Sequence, residues 1–253
     1  MYAVFVIGMA GSGKSALTSE LLNWTRLKDQ DVISLNLDPG VRSLPYNPDV
    51  DIRSYVSVEG LMEEYGLGPN GALLMAADLM GDYLEELRDE VESTGADLVL
   101  VDTPGQIELF AFRESGKFIA AEFTEDPKAV LYLLDGPFSK NPLNYISNMY
   151  MSMAVYERLM LPQIYVLSKA DLLSEEELET VMGWSEDIEN LEEALKGVSE
   201  GTAYLVSKEL ARAISGIGID LHPLPVSSKR ATGLTELYAE IMRTLRGGEE
   251  LDA

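Results

Sequence analysis

The sequence predicts an α/β fold in which a mostly parallel sheet alternates with helices. Short apolar runs typical of buried strands recur between longer stretches of helical periodicity. These runs stand at residues 2–7, 31–37, 98–101, 129–134 and 163–167. Glycine or polar residues follow the runs directly, and the ends of parallel strands meet at one edge of a sheet, where such folds bind ligands. We therefore expect the functional residues at that edge.

Composition limits the classes of partner. The 253 residues suffice for one large domain or two small ones, and 46% hydrophobic residues is ordinary for a globular protein. The net charge of −24 disfavours direct binding of nucleic acid. The absence of cysteine excludes disulfides and thiolate metal sites. We find no signal peptide and no apolar run of the roughly eighteen residues that a span needs, so we expect a cytoplasmic protein without a membrane partner.

The strongest motif follows the first strand. Residues 8–15 match G-x-x-x-x-G-K-[ST], and a helical pattern after them completes the strand–loop–helix context of a phosphate-binding loop. Glycines let backbone N–H groups point at phosphate oxygens, Lys14 adds a charge for the β- and γ-phosphates, and the Ser15 hydroxyl is a candidate Mg²⁺ ligand. The residues assigned to the nucleotide are Gly11, Ser12, Gly13, Lys14, Ser15 and Ala16.

The second strand ends at Asp38, after a helix predicted over residues 15–28. This position lies at the ligand edge of the sheet, but Asp-Pro also opens turns, and the sequence leaves both roles open. Residues 41–55 have no period and are interpreted as a long functional loop. Ser57 is expected to cap a helix over 58–65.

Asn70 lies in a segment rich in glycine and proline, residues 66–71. It is expected to cap a long helix over 71–92, and it remains a candidate functional residue as well.

A second phosphate-site motif covers residues 95–106. Four apolar residues lead into Asp102, the Walker B position at which a carboxylate holds Mg²⁺, usually through water. The Gly105 N–H is placed to meet a γ-phosphate, and Gln106 and Glu108 follow within reach of an attacking water. A buried strand with a Pro-Gly turn is the alternative, which the preceding phosphate loop disfavours.

A third motif ends the strand over residues 163–167. Ser168-Lys169-Ala170-Asp171 is close to the [NT]-K-x-D pattern that recognises guanine. Asp171 can accept hydrogen bonds from N1–H and the 2-amino group of guanine, whereas adenine would leave the carboxylate unpaired. The aliphatic part of the Lys169 side chain can lie against the base plane. Ser168 stands where the pattern has Asn or Thr, and its hydroxyl can still form a local hydrogen bond. Further along, Ser227 and Ser228 stand where GTPases close over the guanine.

The remaining segments predict packing elements. A helix over 141–159 places Met149, Met153, Tyr156 and Met160 on one face, which is typical of a core. Acidic and apolar residues interleave over 174–200 and predict an amphipathic helical insertion of about 172–220. A helix over 202–214, a last strand with its exit loop over 221–229, a helix over 233–245 and a frayed acidic tail from Gly247 follow. His222 is expected to pack rather than to catalyse.

Together these motifs give the chain a resemblance to the GPN-loop GTPases. The motifs are residues 8–15, 102–108, 168–171 and 227–228, with Gly68-Pro69-Asn70 between the first two. The resemblance implies a doubly wound α/β fold with helices on both faces, of the SIMIBI class of P-loop NTPases. It implies one GTPase domain over residues 1–253 with the helical insertion, and the short chain is similar to archaeal members.

The same resemblance implies roles for individual residues. The family works as a homodimer in which the Gly-Pro-Asn loop reaches the partner's phosphates, so Asn70 would act in trans. Asp38, Gln106 and Glu108 match residues that position or activate the attacking water, beside Lys14. Ser15 and Asp102 match the Mg²⁺ shell, and Lys169, Asp171 and Ser228 fall in the guanine site. Other dimeric members of the class carry an extra lysine where this chain has Met9. The phosphate oxygens that gain charge in the reaction therefore need another donor, and Asn70 in trans is the hypothesis for it.

The resulting hypothesis is an enzyme that hydrolyses GTP to GDP and phosphate and reports its nucleotide state to a protein client. RNA polymerase or another assembly is left open as that client. The alternatives are a client-binding scaffold with little hydrolysis and a Min-type ATPase of the same fold.

Overall fold

The computed structural model describes residues 1–216 and 221–247 and contains a seven-stranded sheet. The strands are β1 (Tyr2–Gly8), β2 (Val32–Asn36), β3 (Val50–Asp51), β4 (Leu98–Asp102), β5 (Lys128–Asp135), β6 (Gln163–Ser168) and β7 (Leu224–Pro225). Their order in the sheet is β3-β2-β4-β1-β5-β6-β7, and each pair of neighbouring strands is parallel. The parallel sheet is as the sequence predicts.

Helices cover both faces of this sheet. They are α1 (Lys14–Arg26), α2 (Val58–Tyr65), α3 (Pro69–Leu79), α4 (Leu84–Ser93), α5 (Glu108–Ala111), α6 (Glu114–Glu122), α7 (Gly136–Ser139), α8 (Pro142–Leu159), α9 (Glu175–Glu186), α10 (Ile188–Lys196), α11 (Gly201–Ser215) and α12 (Leu234–Leu245). Short 3₁₀ helices lie at Ile52–Ser54, Met80–Tyr83 and Ala170–Leu172. None of the helices in the described residues is long and apolar enough to cross a membrane.

Alternate residues of the central strand enter two separate cores. Phe5 and Ile7 of β1 belong to the core shared with α3, α6 and α8, whereas Val4 and Val6 belong to the core under α1 and α12. Because β1 lies between β4 and β5 and is buried on both faces, its sequence is continuously apolar. The expected doubly wound fold is therefore confirmed.

The parallel register places the polar ends of the strands at one edge. Val6 pairs with Asp102, and Asp135 pairs with Ser168. Gly8 ends β1 at that edge, where a Cβ would stand 2.7 Å from Ser12 Oγ and 2.9 Å from the Leu133 carbonyl oxygen. Glycine at this position lets the loop after β1 fold tightly over the sheet.

The predicted helix over residues 71–92 is wrong in its length and its start. Its range is divided among α3, the 3₁₀ turn Met80–Tyr83 and α4, and Gly81, a weak helix former, lies in that turn. The helix α3 begins at Pro69 with Gly68 as its N-cap, so Asn70 lies in the first turn and is not the cap. Proline at the first helical position, where no N–H partner is needed, explains the earlier start.

The predicted acidic insertion contains the helices α9, α10 and α11. Ser174 and Glu177 form a capping box at the start of α9, and Trp184 packs on Tyr145 of α8 at a ring distance of 5.5 Å. Positions 217–220 of the insertion and 248–253 of the predicted tail lie outside the described residues.

Three smaller predictions also need correction. The segment 221–229, predicted as a strand with its exit loop, contains only the two-residue strand β7, which pairs with the end of β6. Met160 is 67% exposed and ends α8 with positive φ, so the core face of α8 does not extend to it. His222 is exposed, with its Nδ1 2.9 Å from Ser185 Oγ.

Candidate functional site

The loop between β1 and α1 has the shape of an anion-binding turn. Gly11 and Gly13 have φ of 79° and 94°, a region that disfavours residues with a side chain, and the Ser12 N–H donates to the Met9 carbonyl at 3.1 Å. The helix α1 begins at Lys14 with Gly13 as its N-cap, and no side chain caps it. Its first N–H groups and its positive dipole end therefore face the loop.

The Lys14 side chain lies between this loop and the second motif. Its Nζ donates to the carbonyl oxygens of Gly8 at 3.0 Å, Met9 at 3.2 Å and Gly105 at 3.0 Å. Burial lowers the pKa of Lys14, and the nearby carboxylates of Asp102 and Asp38 oppose that effect. The ammonium joins the phosphate loop to the second motif, and an anion can compete with the three carbonyls for it.

Asp102 ends β4 in a buried position, with 1% of its surface exposed. Its Oδ2 accepts a hydrogen bond from the Tyr46 hydroxyl at 3.0 Å, and its Oδ1 has no hydrogen-bond partner in the described part of the chain. Burial raises the pKa of Asp102 to about 6. The neighbouring hydroxyls of Ser15 and Tyr46 and the charge of Lys14 act in the opposite direction and lower this pKa. A buried carboxylate with one open oxygen beside a serine hydroxyl has the donors that Mg²⁺ prefers.

Tyr46 was not predicted as a site residue. Burial and the neighbouring carboxylate of Asp102 raise the pKa of Tyr46 above its ordinary value, so its hydroxyl remains a donor. It comes from the aperiodic stretch 41–55, where the sequence offers no pattern that singles out one residue.

Asp38 performs two structural tasks. Its Oδ1 accepts from the Gly40 N–H at 2.9 Å and closes the Asp-Pro-Gly turn, while its Oδ2 accepts from the Gly105 N–H at 2.9 Å. The turn role is therefore present, and the bond to Gly105 joins Asp38 to the second motif, while its role at a phosphate stays a prediction. The Gly105 N–H, which was expected to meet a γ-phosphate, bonds an anionic oxygen already.

A polar network behind Asp38 fixes its main chain. Asn36 is fully buried; its amide donates to the Asp38 carbonyl at 3.2 Å and its Oδ1 accepts from the Asp38 N–H at 3.0 Å. The same amide donates to Asp51 at 2.9 Å, and Arg53 binds that carboxylate through Nε and Nη2. Arg53 also donates to the Val41 carbonyl at 3.0 Å, so this network holds both ends of the turn.

The third motif lies directly against the phosphate loop. The Ser168 hydroxyl lies 2.7 Å from the Ser12 carbonyl oxygen, to which it donates. Lys169 has φ of 56°, and its Nζ donates to the Gly11 carbonyl at 2.6 Å and to the Asp135 carboxylate at 2.5 Å. Asp135 was not predicted as a partner of Lys169, although its place at the end of a buried strand is the signal that could have indicated it.

Asp171 is joined to the loop after β7. Its Oδ1 accepts from the Ser227 hydroxyl at 2.6 Å, and the Ala170 N–H donates to the Val226 carbonyl at 3.1 Å. The serine in contact with Asp171 is therefore Ser227, whereas the assigned residue, Ser228, is its neighbour.

Three assigned residues are exposed. Gln106 and Glu108 follow Gly105 at the surface, and Glu108 begins α5. Asn70 is exposed in the first turn of α3, whereas Lys14 and Asp102 are buried. A cleft of about 580 Å³ has Gly40 and Arg42 on one side and Pro69 and Leu73 of α3 on the other.

Sequence comparison finds relatives along nearly the whole chain. A family model described as "Conserved hypothetical ATP binding protein" matches residues 6–247. GPN-loop GTPase PAB0955 of Pyrococcus abyssi is 37% identical over 243 residues, which are 94% of each chain. GPN-loop GTPase QQT2 of Arabidopsis thaliana is 34% identical over 223 residues, 85% of this chain and 58% of that protein. GPN-loop GTPase 1 of Dictyostelium discoideum is 28% identical, and the match covers 60% of its length. The chain thus spans less than two thirds of these two eukaryotic relatives.

Structural comparison gives the same result. The crystal structure of PAB0955, a GTPase in apo form from Pyrococcus abyssi, superposes with a TM-score of 0.85 at 33% identity. The superposition covers 96% of this chain and 97% of that one. With the family model and the identity to PAB0955, this shows that the chain belongs to the GPN-loop GTPase family.

Proposed function

We propose that this protein binds GTP with Mg²⁺ and hydrolyses it to GDP and phosphate. The observation that carries the proposal is the meeting of Lys14, the open oxygen of Asp102 and the Asp38–Gly105 contact at one phosphate loop. Lys14 exchanges its carbonyl partners for β- and γ-phosphate oxygens, and the backbone N–H groups of Gly11, Gly13 and neighbouring residues bind the remaining charge.

Ser15 and Asp102 are the residues that would hold Mg²⁺. The ion would supply charge neutralisation at the phosphates. What this chain contributes is a dry carboxylate, 1% exposed, at the end of a rigid strand and next to the first turn of α1.

Asp38, Gln106 and Glu108 are the groups for the attacking water. A γ-phosphate oxygen that accepts from the Gly105 N–H displaces Asp38 Oδ2 from that donor. The freed carboxylate oxygen then accepts the proton that the water loses as its oxygen bonds to phosphorus and the bond to GDP breaks.

Base selection depends on Asp171 in this proposal. Ser227 holds one carboxylate oxygen, and the carboxylate accepts from guanine N1–H and the 2-amino group. The matching family model is described as ATP-binding, whereas the relatives are named as GTPases, and turnover of GTP against ATP distinguishes the two bases.

A homodimer completes the proposed site, with Asn70 acting on the partner's phosphates. Asn70 is exposed on α3, and three apolar side chains near that helix are exposed as well: Leu74 at 37%, Phe112 at 36% and Phe118 at 49%. The elements α3, α5 and α6 pack together, with the Ser115 hydroxyl donating to the Ala77 carbonyl at 2.6 Å. Apolar patches of this kind favour a protein interface.

The acidic insertion supports a protein client in the same proposal. Leu205, Val206 and Leu210 are exposed on α11, within a chain of net charge −24, which suits a partner with basic and apolar residues. Its identity, RNA polymerase or another assembly, is left open. A single GTPase domain and a cytoplasmic location belong to the proposal as well.

Phosphate release tests the proposed function. We expect turnover of GTP with Mg²⁺, little turnover of ATP, and a fall of at least about tenfold in the variant Asn70→Ala, because one donor to developing charge is lost. Asn23→Ala, at another exposed asparagine, on α1, is the control and should match the parent. Parent-like turnover by Asn70→Ala contradicts the role in trans, and GTP binding without turnover contradicts the enzyme.

A further inference from the structure

Tyr46 connects a loop without regular structure to the carboxylate at the end of β4. Its hydroxyl donates to Asp102 Oδ2 at 3.0 Å, across 56 positions of sequence. The ring is half-buried and packs against the core that contains Leu17 and Leu21 of α1. The neighbouring Pro45 carbonyl accepts from the Ser19 hydroxyl at 3.3 Å, so α1 also supports this part of the loop.

The hydrogen bond leaves the two oxygens of Asp102 in different situations. Oδ2 is held by a phenol, and Oδ1 is buried without a partner in the described residues. The main chain of Asp102 is fixed by pairing with Val6 and Asn36 on either side. Holding one oxygen of a carboxylate on a rigid backbone sets the direction of the other oxygen.

We propose that Tyr46 is a positioning residue of the magnesium site, which holds Asp102 through Oδ2 so that Oδ1 faces the ion or its water. This inference rests on the proposed binding of Mg²⁺ with GTP. Carboxylates that bind metals are themselves oriented by hydrogen bonds from groups behind them, and loss of such a group weakens the metal about 10–100-fold. Tyr46 bonds one oxygen and leaves the other open, as a group with this role must.

The test compares Tyr46→Phe with the parent in nucleotide binding at graded concentrations of free Mg²⁺. A fluorescent GTP analogue is the probe, and no turnover is measured. We expect the half-saturating Mg²⁺ concentration to rise about 10–100-fold, while affinity for the analogue in excess chelator stays unchanged. Phenylalanine keeps the ring and its packing, so only the hydroxyl is removed.

Tyr238→Phe is the matched control. Tyr238 is another half-buried tyrosine and lies on α12, away from the phosphate loop. Its hydroxyl donates to the Gln30 side chain at 3.0 Å. It should leave the Mg²⁺ dependence unchanged. Parent-like Mg²⁺ dependence in Tyr46→Phe overturns the inference, and tighter Mg²⁺ binding overturns it in favour of a tyrosine that competes with the ion. If the affinity of the parent for the GTP analogue does not depend on Mg²⁺, the proposed metal site itself is refuted.

A measurement on the parent covers the case in which Tyr46→Phe does not fold. In a crystal structure with Mg²⁺ and GDP, we expect the Tyr46 hydroxyl to stay within hydrogen-bond distance of Asp102. A hydroxyl displaced from Asp102 in that complex overturns the inference.

Discussion

The contact between Asp171 and Ser227 shows how single residues define the proposed base site. The carboxylate is held at 2.6 Å by a hydroxyl, and the same hydroxyl accepts from the Arg230 N–H at 3.1 Å. Ser227 thereby links the base motif to a turn 56 positions later. The carboxylate is oriented before any base arrives, and less side-chain entropy is lost on binding.

Asp171→Asn should exchange guanine for xanthine. The new amide donates where the carboxylate accepted, so it pairs with the 2-oxo group of xanthine, whereas guanine loses an acceptor. We expect GTP affinity to fall about 10–100-fold and the affinity for xanthosine triphosphate to rise, measured by competition with a fluorescent nucleotide. Asp187→Asn, which alters only the N-cap of α10, is the control. Unchanged preference for GTP would place the base elsewhere.

Sequence patterns predicted the site residues that belong to contiguous motifs. Lys14, Asp102 and Lys169 each belong to a short motif that follows an apolar run, and that arrangement is visible in the sequence. Tyr46 and Asn36 act through contacts made by folding, and nothing in their local pattern distinguishes them from other polar residues. Asp38 shows the same limit, because its bond to Gly105 depends on the arrangement of β2 beside β4.

At the scale of elements, long periodic segments were predicted well and short ones were not. The helices α1 and α8 have full apolar repeats, whereas α5 and α7 have four residues each, too few to show a period. The predicted helix 71–92 is divided at the 3₁₀ turn that contains Gly81, a weak helix former, and the neighbouring Met80 is fully buried against the core.

The packing of α6 on α5 depends on Gly116. A Cβ at this position would stand 2.0 Å from the Phe110 carbonyl oxygen, which is main chain and cannot rotate away. We expect Gly116→Ala to lower the free energy of unfolding by about 1–3 kcal/mol, measured by denaturant titration. Gly71→Ala in α3, where the nearest atoms are 3.7 Å away, should be neutral or add about 0.5–1 kcal/mol. Equal stability of the two variants would contradict this close approach.

At the scale of the whole molecule, the fold brings the three motifs together and leaves apolar side chains exposed near α3 and α6. Strands from distant parts of the chain end at one edge because β1 lies between β4 and β5. The sequence did not predict the order of the strands, since apolar runs do not specify which strands are neighbours. The surface around Leu74, Phe112 and Phe118 has no counterpart in the sequence patterns, because exposure depends on how α3 and α6 pack.

The proposed homodimer predicts that this surface forms the interface between the two copies. With a GTP analogue and Mg²⁺, light scattering should give the mass of a dimer, and Phe118→Glu should raise the dimer dissociation constant at least about tenfold, because a charge would be buried in an apolar contact. Leu27→Glu is the control, since Leu27 is 83% exposed at the end of α1, which packs on the opposite face of the sheet. A nucleotide-bound parent that remains a monomer refutes the dimer. If the two variants change the dimer dissociation constant equally, the interface does not involve α3 and α6. Asn70 would then not lie beside the partner's phosphates.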